Sequence, residues 1–154
     1  MPIGGAQAIG RALERFGPHG LGLAVAGLCD AGEEGDFRRA LERAGLGPGP
    51  GRAGPSRAGM ERLGFFVCDA DLEDELIRAV GPTRVEALLA EHGDLRAFRT
   101  FQKQPAWRGR PVEAQLRRFM GSADSRKLRY ARILVEAVDL ARAPQPLAGV
   151  LAHV

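Results

Sequence analysis

Three things are scarce in this sequence: long apolar runs, cysteine, and any glycine loop for nucleotide phosphates. The longest uninterrupted apolar run, residues 21–29, is far below the roughly 18–20 residues that span a bilayer. No charged-then-apolar leader opens the chain, so the expectation is a soluble, cytoplasmic protein with no membrane partner. Only two cysteines occur, Cys29 and Cys68. Each ends an apolar run, which predicts buried free thiols and excludes a disulfide framework. The absence of Gly-x-x-x-x-Gly-Lys-[Ser/Thr] excludes an ATP site in this chain. The three histidines, His19, His92 and His153, have no metal-ligand spacing among them and receive no role. No internal repeat is evident. With 154 residues, 45% of them hydrophobic, the chain suits one domain, 1–154, with a real core.

What is present is charge, unevenly spread. From Arg96 to Arg132 eleven Lys or Arg stand against two acids, Glu113 and Asp124, a net +9; with a total of +3, the rest of the chain sums to −6. A polyanion held by the basic segment would explain the separation, because phosphates attract Lys and Arg whatever the base sequence. Arginine-rich solvated helix faces would give the same count.

Along the chain, residues 1–3 read as a strand stub, and Gly4-Gly5 opens a helix with Ile9, Leu13 and Phe16 on one face, stopped by Gly17-Pro18. Residues 21–29 lack alternation and fit a strand covered on both faces, as in parallel sheets. A helix over 34–44 turns Phe37, Ala40, Leu41 and Ala44 inward and stops at Gly45. Residues 45–59, with six glycines and three prolines, read as a flexible surface loop. A second strand, 63–68, leads to a helix with Leu72, Leu76, Ile77 and Val80 on one face, and then to a helix over 82–92 that starts at Pro82 and buries Val85, Leu88 and Leu89. Residues 98–107 resist assignment. Helices follow over 111–120 (Val112, Leu116, Phe119, Met120 inward) and 125–139 (Leu128, Ala131, Val135, Val138 inward), before Pro144 and Pro146 break the pattern. The order strand, helix, strand, helix predicts an α/β fold: a parallel sheet flanked by helices, with a helical C-terminal part.

Both predicted strands run into acids. Asp30 follows the first; Asp69, Asp71, Glu73, Asp74 and Glu75 crowd behind the second. Ligands of open parallel sheets bind beyond the carboxyl ends of the strands, and Mg²⁺ or Mn²⁺ needs only a few carboxylate oxygens. Helix capping and the helix dipole account for any one of these acids taken alone. Two strands ending alike, in a chain with a separate basic pole, point to a metal site. Within the basic segment, Phe98 to Arg108 mixes aromatics and cations. Its rings could stack on nucleobases, but Phe98 and Phe101 read better as a core lid, with Trp107 left open.

The runs Gly27-Leu28-Cys29-Asp30-Ala31-Gly32-Glu33-Glu34, Asp71-Leu72-Glu73-Asp74-Glu75-Leu76, Phe101-Gln102-Lys103-Gln104-Pro105 and Ser125-Arg126-Lys127-Leu128-Arg129-Tyr130-Ala131 resemble the Toprim domain of the OLD (overcoming lysogenization defect) family of ATP-dependent endonucleases. The likeness runs from Gly4-Gly5-Ala6 to the end, with the Gly/Pro-rich loop as an insertion. It implies a Toprim-like, Rossmann-like core and cleavage of DNA with Mg²⁺ or Mn²⁺, two ions in a complete site. Asp30 corresponds to the first acid of the family's Asp-x-Asp motif and Glu73 to the acid after the next strand. The metal set implied is Asp30, Glu34, Asp71 and Glu73, and the catalytic pair Glu73 and Lys127, with Lys103 as a second candidate for the lysine. DNA would be held by Lys103, Arg108, Arg110, Arg126, Lys127 and Arg129.

Two departures stand out. Gly32 occupies the place of the second Asp-x-Asp acid, so a metal would recruit Glu33 or Glu34. The family's first strand and helix, with their acid/base glutamate, have no counterpart before Asp30. The expectation is a fragment of a longer protein, working with an ABC-type ATPase in the same polypeptide or in a partner, or with a second copy of itself. The alternatives are a Toprim module that binds DNA without cutting, or a small-molecule phosphate enzyme of related topology.

Overall fold

The two predicted strands pair side by side and in parallel, which forces the chain between them to cross over rather than turn back. The computed structural model describes residues 8–49 and 54–153; the strand stub at 1–3, the Gly4-Gly5 helix start and the middle of the Gly/Pro-rich loop lie outside them. The chain divides into two compact units, residues 1–71 with 145–154, and residues 72–144.

In the first unit, α1 (Ala8–Phe16) precedes β1 (Gly27–Asp30), one 3₁₀ turn (Ala31–Glu33), α2 (Glu34–Arg43), α3 (Arg57–Arg62) and β2 (Phe65–Cys68), and α9 (Gln145–His153) returns at the end. The strands are in register from Gly27 opposite Phe65 to Asp30 opposite Cys68. Ile9, Leu13, Cys29, Phe37, Leu41, Met60, Phe65 and Val67 make the core, with Phe37 edge-on to Phe65 at 6.2 Å. Both cysteines are buried and free, as expected. α9 packs on both strands. Its Gly149 is required there, since a methyl group would overlap the Phe66 ring.

The second unit is helical: α4 (Leu72–Val80), α5 (Pro82–Glu91), α6 (Leu95–Gln102), α7 (Val112–Met120), α8 (Asp124–Ala137) and a 3₁₀ turn (Leu140–Arg142). Gly81, at φ 88°, takes the left-handed conformation that only glycine adopts cheaply, and Pro82 opens α5 directly after it. Leu76, Ile77, Val85, Leu89, Phe98, Leu116, Tyr130 and Leu134 fill the interior. Among the described residues no helix is long and apolar enough to cross a membrane.

The architecture is therefore α/β, mostly helical, with a two-stranded parallel sheet. Several sequence expectations need correction. The first strand is four residues rather than nine, and Leu21 and Leu23 are exposed: an apolar run covers both faces only where elements exist to cover it. Residues 57–59 belong to a helix, not to the flexible loop, because the Ser56 hydroxyl accepts the Gly59 N–H at 3.1 Å and caps α3. The unassigned stretch contains most of α6. On α8 the buried stripe is Tyr130 and Leu134, continuing to Val138, while Leu128 (74%) and Val135 (45%) face solvent. The large Tyr130 ring goes inward because Asp94 satisfies its hydroxyl at 2.8 Å.

Candidate functional site

Elementary strand geometry puts Asp30 at the carboxyl edge of the sheet, opposite Cys68. There Asp30 heads the turn Ala31–Glu33 in a capping-box arrangement, with Glu33 reaching back to the Asp30 N–H at 3.5 Å. The next acid, Glu34, starts α2 with both oxygens engaged. Oε1 accepts from Arg38 one turn along the helix, and Oε2 accepts from Arg57 at 2.8 Å. Arg57 also donates to Asp69 at 3.0 Å. Hydrogen bonding from Arg57 is the main reason that the Glu34 carboxyl is held below its ordinary range, against some burial, with Arg38 adding to it. The same pairing raises Arg57. Behind this edge, burial, and then the charges of Glu33, Glu34 and Asp30, push the Cys29 thiol up to about 12. It is a neutral core group and no nucleophile. Asp71 is the last residue ahead of α4.

In the helical unit Glu73, Asp74 and Glu75 occupy the first turn of α4, where the helix dipole favours negative charge. Glu73 meets Lys127 of α8 at 3.3 Å. The two residues marked as catalytic from the sequence are thus brought together. Of the cations expected to hold DNA, Lys103, Arg108 and Arg110 are exposed around the end of α6 and the loop after it, and Arg108 donates to the Lys103 carbonyl at 3.2 Å. Arg129 is paired with Asp94, which spends part of its charge. Arg126 donates to Ser122 Oγ at 2.7 Å and lies 4.4 Å over the Phe119 ring.

The residues of the implied metal set can be judged individually. Asp30 and Asp71 are positioned by strand and helix ends, Glu34 is saturated by two guanidiniums and Glu73 is paired with Lys127. Among the described residues no three His, Cys, Asp or Glu side chains gather as a metal-holding group.

Sequence reasoning missed Arg57, whose place in a Gly/Pro-rich stretch hid it. It counted Arg96 and Arg118 in the basic segment without singling them out as DNA-holding residues, although both line an open groove in the helical unit. The signal for that groove was the aromatic and basic stretch from Phe98 to Arg108. Comparison with known protein families, with curated proteins and with solved structures finds no match.

Proposed function

We propose that the chain is a Toprim-like module of an OLD-type, metal-dependent DNA endonuclease, holding DNA on its basic segment and contributing Glu73 and Lys127 to the cleavage centre. The observation that carries the proposal is the Glu73–Lys127 pair. An acid behind the second strand and a lysine late in the chain stand 3.3 Å apart. That pair is largely solvent-exposed on the lysine side, so it is worth about 0–1 kcal/mol and a DNA phosphate can draw Lys127 away at little cost. In that position the ammonium offsets charge gathering on the phosphoryl oxygens, and Glu73 is left free. The ligands missing for Mg²⁺ or Mn²⁺ would come from the acid-bearing strand that the resemblance expects ahead of this sequence, or from a partner chain. An ABC-type ATPase would join in the same way.

A second reading has its own support. Glu34 is locked by Arg38 and Arg57, and Gly32 supplies no acid, which favours a module that binds DNA without cutting it. Mn²⁺-dependent nicking of supercoiled plasmid separates the two. Nicking that Asp30→Ala and Glu73→Ala abolish supports the nuclease; retention of plasmid with no nicking, in the presence of the N-terminal part, supports the binding module.

A further inference from the structure

We propose that the groove of the helical unit is a seat for unpaired nucleobases, so that this module takes single-stranded DNA in preference to intact duplex. The inference rests on the nucleic-acid reading above for its substrate class, and not on cleavage. The groove is open, about 730 Å³ in volume, and runs between α6, α7 and the start of α8. That volume lies within the range of ligand sites.

Three arginines line it, Arg96, Arg118 and Arg126, and among the described residues no carboxylate does. Elsewhere in this unit arginines find acids: Arg99 pairs with Glu86 at 2.6 Å and Arg129 with Asp94. Arg96, Arg118 and Arg126 have no ion-pair partner among the described residues. Arg126 is also fixed in place by the Ser122 hydroxyl and the Phe119 ring. Three cations around one concavity make a seat for a polyanion.

Aromatic rings stand beside these cations. Trp107 stacks on Phe101 with ring centres 5.2 Å apart and planes 30° from parallel. Both line the groove and are half-buried, while Phe98 and Phe119 behind them are buried. The platform is preorganised, because buried Gln115 donates to the Trp107 carbonyl at 2.8 Å and accepts from Gln102 at 2.7 Å. A duplex keeps its bases stacked on each other and would leave these rings idle. A single strand can place phosphates on the arginines and a base face on Trp107 together.

The chain has one tryptophan, so its fluorescence reports on this groove. The full chain is titrated with a short oligothymidylate, with an abasic strand of equal length and charge, and with a duplex of the same length. The expected result is quenching of Trp107 by oligothymidylate, and binding about tenfold tighter than the abasic strand, the discrimination that one stacked base supplies. Arg96→Ala with Arg118→Ala should flatten the dependence of log K on log salt by about 1.4. Trp107→Ala should lose about tenfold in affinity for oligothymidylate measured by anisotropy, while Trp107→Phe, which keeps the packing on Phe101, should lose less. Equal affinity for the abasic strand, or strand binding without quenching, overturns the inference. Duplex binding and plasmid nicking without quenching by oligothymidylate remove it and leave the nuclease reading standing. Quenching without nicking keeps it and removes cleavage.

Discussion

A single carboxylate, that of Glu34, meets guanidiniums from Arg38 on its own helix and from Arg57 on α3, and this decides how the sheet edge responds to acid. Its folded pKa lies below the ordinary 4.5, so the stability it contributes is present above that value and is lost as pH falls through the folded one. Thermal melts from pH 6 down to pH 3 should therefore show a smaller drop in Tm for Glu34→Gln than for the parent chain. At neutral pH the same substitution should cost at most about 1 kcal/mol, since Arg57 is itself substantially exposed. The cysteines give a complementary test. With Cys29 pushed up to about 12 by burial and neighbouring acids and Cys68 equally buried, a thiol reagent at pH 8 should label neither in the folded protein and both in urea. The positions of Asp30, Glu73 and Lys127 were legible in the sequence. Arg57 was not, because its partners lie in distant segments and its own surroundings are glycine and proline.

Elements tell a similar story. Helix α5 was readable almost to the residue, because Pro82 marks its start and Val85, Leu88 and Leu89 keep the helical period. Helix α8 was readable in extent but not in rotation. Its apolar residues are compatible with two faces, and only Asp94, far away in sequence, decides for the face bearing Tyr130. Truncation separates the faces: Leu134→Ala should destabilise by about 2–4 kcal/mol, and Leu128→Ala, at an exposed position, by less than about 0.5 kcal/mol. Urea unfolding of both variants measures the difference. The same method should find about 1 kcal/mol for Ser56→Ala, which removes the cap of α3. The groove beside α6 was only half legible for a related reason: its aromatic and basic stretch stood out, but the aromatics from Phe98 to Trp107 are shared between core and surface, and periodicity cannot divide them.

At the scale of the whole molecule, the parallel pairing of β1 and β2 was the most secure inference, since two unalternating apolar runs joined by a helix have few other arrangements. The division into two units was not legible, because no change of composition marks residues 71/72 or 144/145. That division follows the charge: every Lys or Arg from Arg96 to Arg132 belongs to the helical unit. On the proposed nucleic-acid reading, DNA affinity should fall steeply and linearly in log K against log salt, and a slope near zero in filter binding would contradict a phosphate-holding role.

The chain enters the first unit, leaves it for residues 72–144, and comes back only with α9, which docks on both strands through Gly149. On the ribosome, then, β1 and β2 emerge long before their last cover is translated. A stalled or proteolytically clipped product ending before Gln145 would carry a bare hydrophobic ribbon around Phe66, the kind of surface chaperones capture, so quality control of this polypeptide is written into its connectivity.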